Sequence, residues 1–343
     1  MVELSIIIPT FNRLQQLQRV LDALENQTFP VERFEVVVVS DGSNDGTNEY
    51  LKNFHPPFTF SPLIQSNQGP AAARNHGIEL AQGKWILFLD DDVVPMPELV
   101  AEHRRMLDQD ENIVVLGPML IPPKVQLEPW IVWEARMLEK QYRAMQAGLW
   151  VSTARQFYTG NTSLARRHLV EAGGFDARFY RAEDVELAYR LAELGLRFVF
   201  VPEAVGYHYA RRSFQSWFNI AYAYGRYDVI ISQQKGRSWL LSAVLWEFWE
   251  RSVLIQSLVR FCLGRPCLSM HCINDLKRMA ILGNRVRWEQ ISQFAYSGIF
   301  NLRYYQGVAD TLGGAANFWR AVTVERNQRK IHCACVMRRE SDV

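Results

Sequence analysis

Along the first two hundred residues, short apolar runs alternate with stretches whose apolar residues return at every third or fourth position. Leu4-Ser5-Ile6-Ile7-Ile8 is nearly continuous and β-branched and stops at Pro9, the pattern of a strand buried on both faces. Leu14, Leu17, Val20, Leu21 and Leu24 then recur at helical spacing. Residues 35–40 hold four consecutive valines and predict a second buried strand, ended by Asp41-Gly42-Ser43. The alternation continues with a helix over 47–54, a shorter strand over 59–65 and a helix opened by small residues at 69–73. A strand over 85–89 then runs directly into Asp90-Asp91-Asp92. Strands are expected again over 113–120, 161–165 and 197–201, with helices over 129–150, from Arg167, and over 183–194. Such alternation predicts an α/β fold, a mostly parallel mixed sheet covered by helices on both faces. In these sheets ligands bind beyond the carboxyl ends of the strands. Three strand ends carry polar clusters: Thr10 to Arg13, Ser40 to Ser43, and the aspartate triplet. They are expected to converge on one crevice.

After His208 the character changes to long helices rich in Trp, Tyr and Arg, so a domain over 1–210 and a helical region over 211–343 are expected. Residues 238–261 read as one helix with fifteen apolar positions, interrupted by Glu247, Glu250 and Arg251. Three internal charges argue against a membrane span. The helix either lies in a membrane interface, caps the first domain, or forms a contact in a homo-oligomer. No uninterrupted apolar run reaches eighteen residues, so no spanning helix is expected.

Charge sharpens the division. Residues 1–210 carry 19 basic and 27 acidic side chains, residues 211–343 carry 19 and 9. The second region therefore faces something anionic, such as lipid or a phosphorylated ligand, or neutralises the first. No nucleic-acid motif is present, and none is expected as a partner. At 48% hydrophobic and 22% charged residues, the composition excludes a disordered, collagen-like or coiled-coil chain. The five cysteines all follow residue 261, and their odd number excludes a complete intrachain disulfide framework. That pattern, with no basic leader before the first strand, predicts a cytoplasmic protein, either free or peripheral at the inner face of the membrane. His271-Cys272 and His332-Cys333-Ala334-Cys335 lack the paired spacing of a zinc knuckle.

The triplet is the most informative local feature. Three adjacent carboxylates repel one another, so a cation should offset the cost. Hard divalent ions prefer oxygen ligands, and Mg2+ or Mn2+ commonly takes one or two carboxylates plus substrate phosphates. A solvated acidic turn is the plainer alternative.

Taken with its neighbours, the triplet resembles family 2 glycosyltransferases of GT-A fold. The resemblance rests on Ile6 to Arg13, Val39-Ser40-Asp41-Gly42-Ser43, Asn67-Gln68-Gly69-Pro70 through Arg74-Asn75, and Phe88 to Asp92. It continues through Gly173-Gly174-Phe175-Asp176, Glu183-Asp184 and the segment ending at His208. It implies an inverting, metal-dependent transfer of a sugar from a nucleotide-sugar donor, UDP-linked by resemblance, to a glycan or lipid-linked acceptor. Pro9, Thr10, Asn12 and Arg13 then form a donor-binding loop, joined by Asn67, Gly69, Asp90 and Asp91. Asp41 accepts a hydrogen bond from the base, or serves only its own turn. Arg74 reaches the base or diphosphate. Asp92 ligates Mn2+ or Mg2+, and His208 joins the metal or the diphosphate, or packs between Tyr207 and Tyr209. Within the pair Glu183 and Asp184, Asp184 is the implied general base, kept ionised by the first turn of its helix. Trp85 is expected in the core, while Trp150, Tyr158 and Trp217 are open to either acceptor stacking or packing. The rival readings are a sugar-nucleotide-forming nucleotidyltransferase, whose Gly-rich phosphate loop is missing after the first strand, and an inactive nucleotide- or glycan-binding scaffold.

Overall fold

The four valines of the second strand are all shielded from solvent, because helices cover both faces of the sheet in which it lies. The computed structural model describes residues 2–234 and 236–341, with side chains through residue 329. It divides into two units, Met1–Arg211 and Arg212–Val343. The first begins with β1 (Leu4–Thr10), α1 (Leu14–Leu24), β2 (Phe34–Asp41), α2 (Thr47–Asn53), β3 (Thr59–Gln65), α3 (Pro70–Leu80) and β4 (Trp85–Leu89). It continues with β5 (Val93–Pro95), α4 (Leu99–Gln109), β6 (Ile113–Leu116), β7 (Met119–Leu120) and α5 (Pro129–Gln146). It closes with β8 (Asn161–Ala165), α6 (Arg166–Glu171), α7 (Glu183–Glu193), β9 (Arg197–Phe200) and β10 (Gly206–His208).

Among the described residues, seven strands form the main sheet in the order β3-β2-β1-β4-β8-β6-β9. β8 runs antiparallel to both of its neighbours and the other pairings are parallel. The chain builds outward from β1 through β2 to β3, then returns to the other side of β1 with β4. That reversal opens a crevice at the carboxyl ends of β1 and β4. One face of the sheet buries Ile6, Ile8, Val36, Val38, Leu87 and Leu89 with Leu17, Val20, Leu21 and Leu24 of α1. On the other face Gly77 of α3 lies so close to Ile7 that a Cβ there would come within 2.4 Å of it. The expected mixed α/β architecture is therefore the one observed.

The strand expected over 113–120 is divided by Gly117-Pro118, because proline has no N–H to continue a ladder. Asn161 fills the break. Its Nδ2 donates to the carbonyls of Pro118 at 3.1 Å and Ala204 at 2.8 Å, and its Oδ1 faces His103 Nε2 at 2.8 Å. The detached β7 joins a small sheet, β5-β10-β7. In that sheet His208 pairs with Val93, next to Asp92.

The second unit is helical: α8 (Phe214–Ser232), α9 (Ser238–Glu250), α10 (Val253–Cys262), α11 (Pro266–Arg285), α12 (Glu289–Thr311) and α13 (Ala315–Ser341). The helix expected over 238–261 is two helices. The first ends at Glu250, and Ser252 caps the second by accepting from Ile255 N at 3.4 Å. α9 buries Leu240, Val244, Leu245 and Phe248 among the helices of its own unit, with Phe248 edge-on to Tyr305 and Phe318. No helix among the described residues is long and apolar enough to cross a membrane.

Candidate active site

The crevice is assembled from loops that leave β1, β2 and β4, joined by the start of α7. At the end of β2, Asp41 is buried, and its carboxylate accepts from Gln65 Nε2, Gln68 N and Gly69 N, each at 2.8 Å. Asn67 Nδ2 donates to the Asp41 carbonyl at 3.0 Å. Asp41 thus holds the loop that enters α3. A carboxylate offers about four acceptor positions, so one remains for a ligand N–H. Gly42 has φ +82°, and a Cβ there would meet Asn67 N at 2.9 Å, so neither its backbone nor its surroundings accept a side chain.

Asn12 links the β1 and β2 loops. Its backbone N donates to Ser43 Oγ at 3.0 Å, and its Oδ1 accepts from Asn44 N at 2.8 Å. Its φ of 53° is left-handed, a conformation asparagine tolerates better than most residues. Pro9 lies within β1 opposite Val39, upstream of this turn.

Two arginines meet the acidic triplet. Arg13 Nη1 donates to Asp91 Oδ1 at 2.9 Å and to Asp92 Oδ2 at 2.7 Å. Thr10 Oγ1 donates to the other oxygen of Asp91 at 2.7 Å. Arg74, almost wholly buried, donates from Nη2 to Asp90 at 2.9 Å and from Nη1 to Glu183 at 3.0 Å. Compensating cations that the triplet demanded are thus supplied within the chain. Burial pushes the Asp91 carboxyl up to about 7, opposed by Arg13 and reinforced by Asp92.

Asp92 and His208 form the corner suited to a metal. His208 Nε2 stands 3.4 Å from Asp92 Oδ1, and Tyr209 N donates to the Asp92 carbonyl at 2.8 Å, which fixes the approach. One carboxylate and one imidazole make a small donor set. It fits Mn2+ or Mg2+ completed by phosphate oxygens, not a structural site enclosed by protein. Among the described residues no group of three or more His, Cys, Asp or Glu is placed to share an ion. Cys262, Cys267 and Cys272 are free thiols, and the side chains of His332, Cys333 and Cys335 lie outside the described residues.

α7 begins at Glu183, after Ala182 in a left-handed conformation with φ 58°. That backbone is strained for a residue with a Cβ, and such strain concentrates at functional sites. Glu183 is turned inward to Arg74. Asp184 is half-buried and accepts from Val185 N at 2.8 Å. Burial, then the charge of Glu183, pushes its carboxyl up to about 7. The expectation that the first turn keeps Asp184 ionised is therefore corrected, because desolvation outweighs the partial charge of the helix end.

Among the aromatic residues, Trp85 is core, as expected. Trp217 is fully buried edge-on to Tyr296, so it offers no face to a ligand. Trp150 is exposed, and Tyr158 is half-buried with its hydroxyl on Gln141. Sequence reasoning assigned no role to Asn75. Its amide exchanges two hydrogen bonds with the Phe175 backbone, at 2.7 and 2.8 Å, and so fastens the Gly173-Gly174 turn to α3. The glycine pair was the available signal: a Cβ on Gly174 would fall 2.7 Å from Asn75 Oδ1.

Comparison with known proteins places this geometry among characterised folds. The model of a family described as glycosyl transferase family 2 matches residues 5–175. Glycosyltransferase AglE of Haloferax volcanii is 28% identical over 210 residues, covering 60% of this chain and 67% of that protein. Chondroitin synthase of Escherichia coli is 28% identical over 239 residues, 60% of this chain and 34% of the synthase. Validoxylamine A glucosyltransferase of Streptomyces hygroscopicus subsp. jinggangensis is 32% identical, covering 59% of this chain and 54% of that one. The chain thus spans about two thirds of one of these relatives, about half of another and about a third of the third. Among solved structures, the mannosyltransferase PcManGT from Pyrobaculum calidifontis, in complex with GDP-Man and Mn2+, superposes with TM-score 0.57. Its identity is 19%, over 87% of this chain and 85% of that one. Residues 1–349 of S. aureus TarS, in complex with UDP-GlcNAc, give TM-score 0.51 and 17% identity over 86% and 91%. These likenesses establish the GT-A fold.

Proposed function

Because the chain belongs to glycosyltransferase family 2 through its residues 5–175, we propose that it transfers a sugar from a nucleotide-sugar donor to a hydroxyl of a glycan or lipid-linked acceptor, with inversion. One observation carries the reading: Arg74 joins Asp90 at the end of β4 to Glu183 at the start of α7, so the acidic triplet and Asp184 border the same crevice. The donor's base lies against Asp41 and the loop it holds, and its diphosphate lies toward Arg13 and Arg74. UDP is the proposed carrier. A GDP-sugar and a UDP-sugar are each bound by a structural neighbour.

Asp184 takes the proton of the acceptor hydroxyl while that oxygen forms its bond to the anomeric carbon. The bond from that carbon to the diphosphate oxygen breaks, and the nucleoside diphosphate leaves with the negative charge. A carboxylate held near 7 suits the task, since a base works best with a pKa close to the ambient pH. Arg13 and Arg74 bring fixed positive charge to the side where the leaving group becomes more negative. Asp92 and His208 would hold Mn2+ or Mg2+, which when bound supplies further charge stabilisation to the diphosphate. The odd number of cysteines supports a reducing, cytoplasmic setting.

The test is a panel of UDP-, GDP- and dTDP-sugars, read by thermal stabilisation and by release of nucleoside diphosphate with Mn2+ present. A matching donor should raise the melting temperature and be slowly hydrolysed. Absence of both effects across the panel overturns the reading.

A further inference from the structure

We propose that one end of the helical unit, formed by the α11–α12 turn and the start of α10, is a docking face for an anionic lipid surface. This inference stands independently of the proposed transfer reaction.

The turn is closed by backbone hydrogen bonds. Val286 N donates to the Leu282 carbonyl at 3.0 Å and Trp288 N to the Gly283 carbonyl at 2.7 Å. Between them Arg287 is held in a left-handed conformation with φ 55°. Ser292 packs so closely on Gly283 that a Cβ there would come within 2.6 Å of its hydroxyl. α10 runs back along α11: the thiol of Cys262 interacts with that of Cys272, and Leu258 and Leu276 both close over Gly298 of α12. That register carries Val253 and Leu254, one helical turn before Leu258, to the tip end of α11.

Five large apolar side chains at this end, Val253, Leu254, Leu282, Val286 and Trp288, are each between 57% and 75% exposed. Exposed arginines stand among them: Arg278, Arg285 and Arg287. Glu289 is the acid nearest the tip in sequence, and Asp275 pairs with Arg278 at 3.1 Å. An apolar patch of this kind marks a contact surface. The interleaved charge identifies the partner. Protein interfaces exclude charge from their apolar centre. A lipid headgroup layer accepts both kinds of side chain, since indole and leucine enter the acyl boundary while arginine stems extend toward phosphate. Anionic lipid adds attraction for each arginine. No described helix can cross the bilayer, so the contact is peripheral.

Flotation of the full chain with phosphatidylcholine vesicles, with and without phosphatidylglycerol, tests the proposal. Binding is expected only with phosphatidylglycerol and should fall at high salt. The pairs Leu282→Ser with Trp288→Ser, and Arg285→Glu with Arg287→Glu, should each weaken it about tenfold while melting like the parent protein. Trp239→Ser, on α9, should leave binding unchanged. The proposal is overturned if the parent protein does not float with anionic vesicles, or if both pairs float equally well. It is also overturned if light scattering shows a dimer that the same pairs dissolve, which makes the face a contact between copies.

Discussion

Arg74 Nη1 donates to the carboxylate of Glu183 at 3.0 Å, across 109 residues of chain, while Nη2 of the same guanidinium holds Asp90. The contact ties the strand that delivers the acidic triplet to the helix that delivers Asp184. Only arginine has the planar fork to reach both carboxylates.

Replacing Arg74 leaves the buried Glu183 carboxylate without its cation and removes the partner of Asp90, which is partly exposed. Arg74→Ala should lower the unfolding free energy by about 3 kcal/mol, the usual cost of breaking a buried pair from one side. Arg74→Lys should recover part of it. Urea titration with fixed ligand-free protein reads both values, and an unchanged midpoint for Arg74→Ala removes the structural role.

Asp184 must be deprotonated to act as a base. With its carboxyl raised to about 7, kcat/KM should climb tenfold per pH unit below that value and level off above it. Asp184→Asn should reduce turnover at least a hundredfold and leave the donor's thermal stabilisation intact. A rate profile flat from pH 5 to pH 8 in order-of-magnitude terms, or near-parental turnover by the asparagine variant, excludes Asp184 as the base.

Arg13 Nη1 sits on Asp92 Oδ2, on the same carboxylate whose other oxygen faces His208. A divalent ion held at Asp92, as proposed, would therefore share that carboxylate with a fixed positive charge. Arg13→Gln should tighten Mn2+ binding by about tenfold, as followed by the free-ion electron paramagnetic resonance signal in the absence of donor. Weaker Mn2+ binding by the variant would show that Arg13 orients Asp92 for the metal.

His103 is buried between Ser163 Oγ, 2.7 Å from Nδ1, and Asn161 Oδ1, 2.8 Å from Nε2. Burial pulls its pKa down to about 4, so the folded protein holds it neutral where the unfolded chain protonates it near 6.5. The resulting stability is complete above pH 6.5 and is lost as pH falls toward 4, to the order of 3 kcal/mol. Asp91 and Asp184, with raised pKa values, act in the opposite direction over the same window. The histidine's share is the difference between parent protein and His103→Asn, measured at each pH. A difference that stays constant from pH 7 to pH 4 refutes the assignment.

Periodicity located the strands of the main sheet because β1, β2 and β4 are covered on both faces and so are apolar along most of their length. It failed at Gly117-Pro118 and at Ser252. There a missing N–H and a side-chain cap override a continuous apolar pattern, and neither changes hydrophobicity. Three polar blocks of the candidate site, Thr10 to Arg13, Ser40 to Ser43 and Asp90 to Asp92, were legible for a related reason: each sits where a buried strand stops.

What the chain's linear order determined, then, is which carboxylates stand at strand and helix ends, and that they need cationic company. Which cation meets which carboxylate was decided only by folding. Arg13 and Arg74 lie 78 and 109 residues from Asp91 and Glu183, and no local pattern distinguishes them from other arginines. Electrostatic pairing depends on distance in space, and side-chain protonation on burial. Both arise when the sheet brings remote segments to one edge, which is why the raised pKa of Asp184 could not be read before the structure.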